Sequence, residues 1–172
     1  MFGRILVPLD GTRESNTALL VAHTLARATG GSVTLLRVLP DSDLPGDRIE
    51  WLATTETLEE LAEGLATEGV HAETVIDLGE PYAEILQEIR AQHADLVIMR
   101  THGRVGLDRG IMGSVAERVL TQSDVPVVIV RISARYMSCA RCWSRLTAHR
   151  AQRWPCRRRW RWRSGPEQRC TW

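Results

Sequence analysis

"THGRVGLDRGIMGS", residues 101–114, holds four glycines in fourteen residues. It stands between the apolar run "DLVIM" (95–99) and the segment "SVAERVL" (114–120). That reads as a strand, a glycine-rich loop and a helix. So much permissive backbone at a strand end lets another group approach the main chain closely. The unit also decides the fold, because the chain repeats the same alternation from its start to residue 132.

"GRILVPL" (3–9) is an apolar run that ends at Asp10-Gly11. "ESNTALLVAHTLARATGG" (14–31) spaces Leu19, Ala22 and Ala26 as one helical face and stops at Gly30-Gly31. "SVTLLRVL" (32–39) predicts a second strand, and "WLATTETLEELAEGLATEG" (51–69) puts Leu58, Leu61 and Leu65 on one helical face. "HAETVIDL" (71–78) is a third strand, followed by a turn at "GEP". "YAEILQEIRAQH" (82–93) carries Tyr82, Ile85, Leu86 and Ile89 at helical spacing. "ADLVIM" (94–99) is the fourth strand, "SVAERVLTQS" (114–123) the last helix and "VPVVIV" (125–130) the fifth strand.

Strands two, four and five are nearly continuous apolar runs, which suits a parallel sheet covered on both faces. Alternation of this kind predicts an open, doubly wound α/β sheet with helices on both sides. Ligands of such sheets sit beyond the carboxyl ends of the strands, where strand order reverses. Two strand ends are chemically equipped, "PLDGT" (8–12) and the opening loop. They face one crevice if strands one and four are neighbours, which gives five parallel strands in the order 3-2-1-4-5. Strand five then lies at an edge, where Pro126 is tolerated. An uncharged apolar edge invites pairing with a second chain, so a homodimer through residues 125–131 is expected.

The net charge of +1 conceals a division. Residues 1–132 carry 20 acidic side chains and 11 arginines, a balance of −9, whereas residues 133–172 carry 11 arginines and the single acid Glu167, a balance of +10. There is no lysine, and all four cysteines (Cys139, Cys142, Cys156, Cys170) and five of six tryptophans follow residue 132. The expected organisation is a domain over 1–132 and a basic Arg/Trp/Cys-rich tail over 133–172. So few aliphatic residues cannot offset the entropy of ordering, so the tail is expected to be disordered. "RRRWRWR" (157–163) has the mixture that some nucleic-acid or membrane-surface binders use. "CARC" (139–142) with His149 and Cys156 lacks well-defined zinc spacing. The tail composition is also what a GC-rich gene yields when read out of frame. No stretch reaches eighteen apolar residues and "MFGRILVPLD" lacks the signal-peptide series, so a cytoplasmic protein without a membrane span is expected.

Gly113 and Ser114 begin a helix, where free amides and the helix dipole favour an anion. Ser114 with Glu117 also spells a capping box, which needs no ligand; the two uses can coexist. The loop is not the usual NTPase phosphate loop, since no Gly-Lys-Ser/Thr follows, and "LDGTRES" (9–15) has one glycine, too few for a dinucleotide fingerprint.

Residues 1 to about 132 resemble the universal stress protein family. The resemblance is carried by Val7-Pro8-Leu9-Asp10-Gly11-Thr12, by the spacing from Arg100 through Gly103 to Gly113-Ser114, and by "GSVAERVL" followed by "VPVVIV". It implies a binding site for ATP, with or without Mg²⁺. Pro8 and Leu9 would lead into Asp10, which would bind the adenine edge, and Val38 would touch the base. Met99 and Arg100 would lie along the ribose, while Gly103, Gly113, Ser114 and Val115 would hold the phosphates. The departure is Arg100, which stands where the ATP-binding pattern has its first glycine.

Asp10-Gly11 also suits a plain turn. His102 reads as a loop histidine rather than a general base, because no nucleophile neighbours it. Arg104 and Arg109 read as solvated, with Arg104 better placed to meet a terminal phosphate. Residues 1–132 show no paired carboxylates or cysteine nucleophile and so no catalytic residue. The expectation is a regulatory nucleotide-binding protein of the stress response, with slow ATP hydrolysis at most. Two alternatives stand beside it: a nucleotide-free dimeric scaffold of the same fold, and a nucleic-acid or membrane-surface binder acting through the tail.

Overall fold

The computed structural model describes residues 2–12, 15–41, 47–101 and 113–131. In chain order the elements are β1 (Arg4–Leu9), α1 (Asn16–Thr29), β2 (Ser32–Leu39), α2 (Asp47–Thr67), β3 (His71–Leu78), α3 (Pro81–Ala91), β4 (Leu96–Arg100), α4 (Ser114–Gln122) and β5 (Val127–Val130). The strands form one sheet in the order β3-β2-β1-β4-β5. Every neighbouring pair is parallel. The predicted order therefore holds, and β1 and β4 are neighbours.

Strand periodicity divides the core between the two faces. Ile5, Val7 and Leu9 of β1 pack with Val33 and Leu35 of β2 and Ile98 of β4, beneath α1 and α2. Leu6, Leu36, Val97 and Met99 point the other way and pack beneath α3 and α4. Alternate residues of a strand reach opposite faces, so an apolar run of five or six residues serves both layers. Leu19, Ala22 and Ala26 of α1 and Leu58, Leu61 and Leu65 of α2 are buried on the first face, Ile85 and Ile89 of α3 on the second.

Local signals set the boundaries. α1 ends at Gly30, whose φ of +69° is a left-handed cap that closes a bond to Ala26 O. Pro81 starts α3 at a position where no amide donor is needed. The start of β1 is tied to β4 by Asp95, whose two carboxylate oxygens accept from Gly3 N (2.9 Å) and Arg4 N (3.1 Å).

α2 begins four residues before the expected Trp51. The extra turn is not amphipathic: its one large apolar residue, Ile49, is 73% exposed, so apolar periodicity does not reveal it. Among the described residues no helix is long and apolar enough to cross a membrane. The tail, 133–172, lies outside the described residues, as do His102, Gly103, Arg104 and Arg109.

Candidate functional site

The carboxyl ends of β1, β2 and β4 and the amino end of α4 enclose a cavity of about 330 Å³. Its position is the one the topology dictates. β1 sends its chain to α1 on one face, and β4 sends its chain to α4 on the other. A crevice opens between the two departures.

Pro8, Leu9 and Asp10 form the β1 wall, and Met99 and Arg100 the β4 wall. Gly113, Ser114 and Val115 close the α4 side, and Val38 stands at the end of β2. The fold therefore brings nine of the ten sequence-predicted site residues around one space. The tenth, Gly103, is outside the described residues.

Gly113 is the residue that caps α4, with φ −61° and ψ 145° in the extended region, and Ser114 is the first helical residue. The capping box is therefore corrected. Among the described residues no side chain caps this helix end, because Gly113 holds the cap position and Ser114 is already inside the helix. The amides of Ser114, Val115 and Ala116 precede the first intrahelical bond, from Glu117 N to Gly113 O (3.0 Å). Uncapped first-turn amides at a cavity wall are the donor set an anion requires.

Asp10 does shape a turn. Its Oδ1 accepts from Thr12 N (2.8 Å) and Thr12 Oγ1 (2.6 Å). Asp10 also lines the cavity, so turn and lining role coexist. Arg100 sits in ordinary strand backbone, paired with Val130, and among the described non-glycine residues only His93 has positive φ. An arginine in place of a glycine is thus no backbone strain at this position.

Sequence reasoning missed Arg37, Ser15, Leu36, Pro81, Ile85 and Ala116, which complete the lining. Only Arg37 had left a signal: a charge inside the apolar run "LLRVL", near the carboxyl end of a strand. Its Nη1 donates to Leu9 O at 3.3 Å. Pro81, Ile85 and Ala116 come from α3 and α4, which are held together by Arg118, 4.7 Å over the Tyr82 ring. Among the described residues no group of three or more His, Cys, Asp and Glu side chains could hold a metal ion.

One strand outward from Val38, Asp77 faces Glu84 and Glu88 of α3. Burial, then the charges of Glu88 and Glu84, push the Asp77 carboxyl above its ordinary value of 3.8. The folded state therefore holds this proton more tightly than the unfolded chain does. Stability is highest where both are protonated and is lost as pH rises through the folded value. Asp77→Asn is expected to raise the thermal midpoint at neutral pH. The gain should shrink as pH falls toward 3.8; equal gains at both ends of a pH series of melts would refute this.

A 3-2-1-4-5 parallel sheet with a cavity at its switch point defines an open, doubly wound α/β domain. Residues 1–131 match the family model of the universal stress protein family, and the chain belongs to that family. It is 33% identical to universal stress protein YxiE of Bacillus subtilis over 76% of this chain and 100% of that protein. It is 32% identical to universal stress protein MJ0531 of Methanocaldococcus jannaschii over 76% of this chain and 83% of that protein. The structure of MJ0577, from the same archaeon, is similar at a TM-score of 0.66 and 26% identity, covering 78% of this chain and 99% of that one. A universal stress protein in complex with cAMP shares the fold at a TM-score of 0.62 and 20% identity, covering 77% and 98%. One from Archaeoglobus fulgidus in complex with dAMP does so at 0.59 and 21%, covering 76% and 98%.

Proposed function

We propose that this universal stress protein binds an adenine nucleotide, ATP in the first instance, in the switch-point cavity and acts as a nucleotide-dependent regulator. The observation that carries this reading is the meeting of the Asp10 carboxylate and the uncapped amino end of α4 on one cavity. A carboxylate can accept from an exocyclic amine, and helix amides can donate to phosphate. The cAMP and dAMP complexes of fold relatives fit a cavity of this kind. Mg²⁺ would be held by phosphate oxygens and water rather than by a protein cage, as that ion often is. The test is calorimetric titration of the full chain with ATP, with and without Mg²⁺, alongside mass analysis of nucleotide carried from the cell. No heat at millimolar ATP and no carried nucleotide would reject the proposal and favour the scaffold reading.

Assembly is proposed to run through β5. It is one of the two edge strands of the sheet. Val128 within it is 39% exposed. Pairing with a second copy would satisfy its free backbone groups and cover that side chain. Val128→Lys is expected to shift the protein toward monomer in sedimentation. A wild type that is already monomeric at roughly tens of micromolar would defeat this, since dimers of ordinary affinity persist there.

The division near Ile132–Ser133 is likewise proposed to separate the binding domain from an appendage. All buried apolar residues among those described fall between Ile5 and Val119. Deleting 133–172 is expected to leave the thermal midpoint nearly unchanged and to raise solubility. A lost or broadened unfolding transition would show that the tail contributes to the fold.

A further inference from the structure

α2 is anchored by its second half. Leu58, Leu61 and Leu65 enter the core, whereas every residue from Arg48 to Ala53 is exposed. A helix on a sheet ordinarily buries an apolar stripe and shows water a polar one. The start of α2 does neither. It carries Ile49, Trp51 and Leu52, which are exposed by 73%, 37% and 63%. No other four consecutive described residues expose three large apolar side chains. Helical turns without tertiary packing are marginal, so this end of α2 calls for a cover.

The same stripe continues as acid. At 100° per residue, Ile49 and Leu52 lie in line with Glu56, Glu59, Glu60 and Glu63. The four glutamates are exposed, and none is in an ion pair with a described residue. They stand three and four apart, where like charges repel. Arg48 is the one basic residue of α2. An occupant of this stripe must bring several cations and large apolar side chains within a short length of chain.

The chain itself contains such a segment. "RRRWRWR" (157–163) holds five arginines and two tryptophans. The domain's balance of −9 and the tail's of +10 are complementary. All strands are parallel, so β5 ends at the end of the sheet from which α2 sets out. β5 and β2 are three strand spacings of about 4.8 Å apart. The joining segment, 131–156, can span up to about 90 Å when extended. A tethered segment also meets α2 at a far higher effective concentration than one on a second molecule.

We propose that residues 157–163 dock along α2 of their own chain, the arginines on Glu56, Glu59, Glu60 and Glu63 and the tryptophans on Ile49 and Leu52. The tail then neutralises the acidic helix and covers its apolar start. Leu58 is the first α2 residue to reach the core, so docking orders a helix end and leaves the midpoint of global unfolding nearly where it is.

The test uses the full chain carrying Cys139→Ser, Cys142→Ser and Cys170→Ser. Cys156, beside Arg157, is then the one thiol for a nitroxide label. Amide NMR reads which surface the label approaches, with the reduced nitroxide as reference. At about 50 mM salt the amides of 48–63 are expected to broaden, and those of α3 and α4 to keep their intensity. Salt at about 1 M, which screens exposed charges beyond roughly 3 Å, should restore the α2 signals. Glu56→Gln/Glu59→Gln/Glu60→Gln/Glu63→Gln should lose the broadening at low salt, and thermal melts should show it folded. Ile49→Ser/Leu52→Ser should weaken the broadening, which tests the apolar half separately. Broadening spread evenly over the domain, or undiminished in the glutamine variant, would overturn the proposal. So would broadening of α2 in an isotope-labelled chain that carries no nitroxide, mixed with the nitroxide chain: the docked tail would then belong to a second copy.

Discussion

Gly113→Val is expected to fold like wild type and to bind no measurable ATP. The two halves of that result have separate physical causes. Gly113 has φ −61° and ψ 145°. Any L-residue adopts that region, and β-branched residues favour it. Valine therefore meets no backbone penalty, and α4 keeps its bond from Glu117 N to Gly113 O. Binding is different, because Gly113 lines the cavity immediately before the amides of Ser114 and Val115. A branched side chain there stands where a phosphate must come to reach them. Losing two charge-assisted hydrogen bonds costs about 3–6 kcal/mol, roughly a hundredfold or more in affinity.

Ser114→Ala is the control for this argument. Its hydroxyl makes no cap bond, so stability should move by less than about 0.5 kcal/mol. The measurements are a thermal melt and an ATP titration of each variant. A Gly113→Val protein that binds ATP as wild type does would mean that no anion approaches the amino end of α4, and the proposed site would lose its phosphate end.

The sheet was legible because its apolar runs obey a single constraint. A strand covered on both faces must be apolar at every position, so "LVIM" and "LLRVL" announce themselves without alternation. Adjacency of β1 and β4 followed from two loops that needed a common crevice; the site residues came from the resemblance to the universal stress protein family. The failures are local. Ser114-x-x-Glu117 spells a capping box, yet the spelling does not say which residue is extended; the glycine before it takes that role. α2 hides its first turn because Ile49, the one large apolar residue in it, faces solvent. Arg37 is hidden inside a run that reads as strand, although a charge at a strand's carboxyl end beside the switch point is where a cavity-lining group belongs. That Arg100 Nε lacks a partner among the described residues depends on what surrounds it in space, and no sequence pattern carries that.

Gly30-Gly31 marks the limit of such reading most clearly. The pair looks like one helix stop, and the two residues do different work. Gly30 supplies the left-handed cap, and nothing stands within 4 Å of a Cβ placed on it. Gly30→Ala should therefore cost only the strain of positive φ, about 1 kcal/mol. A Cβ on Gly31 would meet Gly3 O at 2.8 Å and Phe2 O at 3.1 Å, both backbone atoms that cannot rotate away. Gly3 O is also the acceptor for Ser32 N at 2.8 Å, the bond that aligns β2 with the start of β1. Relief requires the two strands to part at their first rung, where Asp95 also holds Gly3 and Arg4. Gly31→Val should thus add the cost of overpacking to a lost ladder bond, about 3 kcal/mol and roughly 10 °C in the thermal midpoint. The order of the two variants is the test. If denaturant melts place Gly30→Ala below Gly31→Val, the helix stop matters more than the approach of β2 to β1, and the packing argument fails.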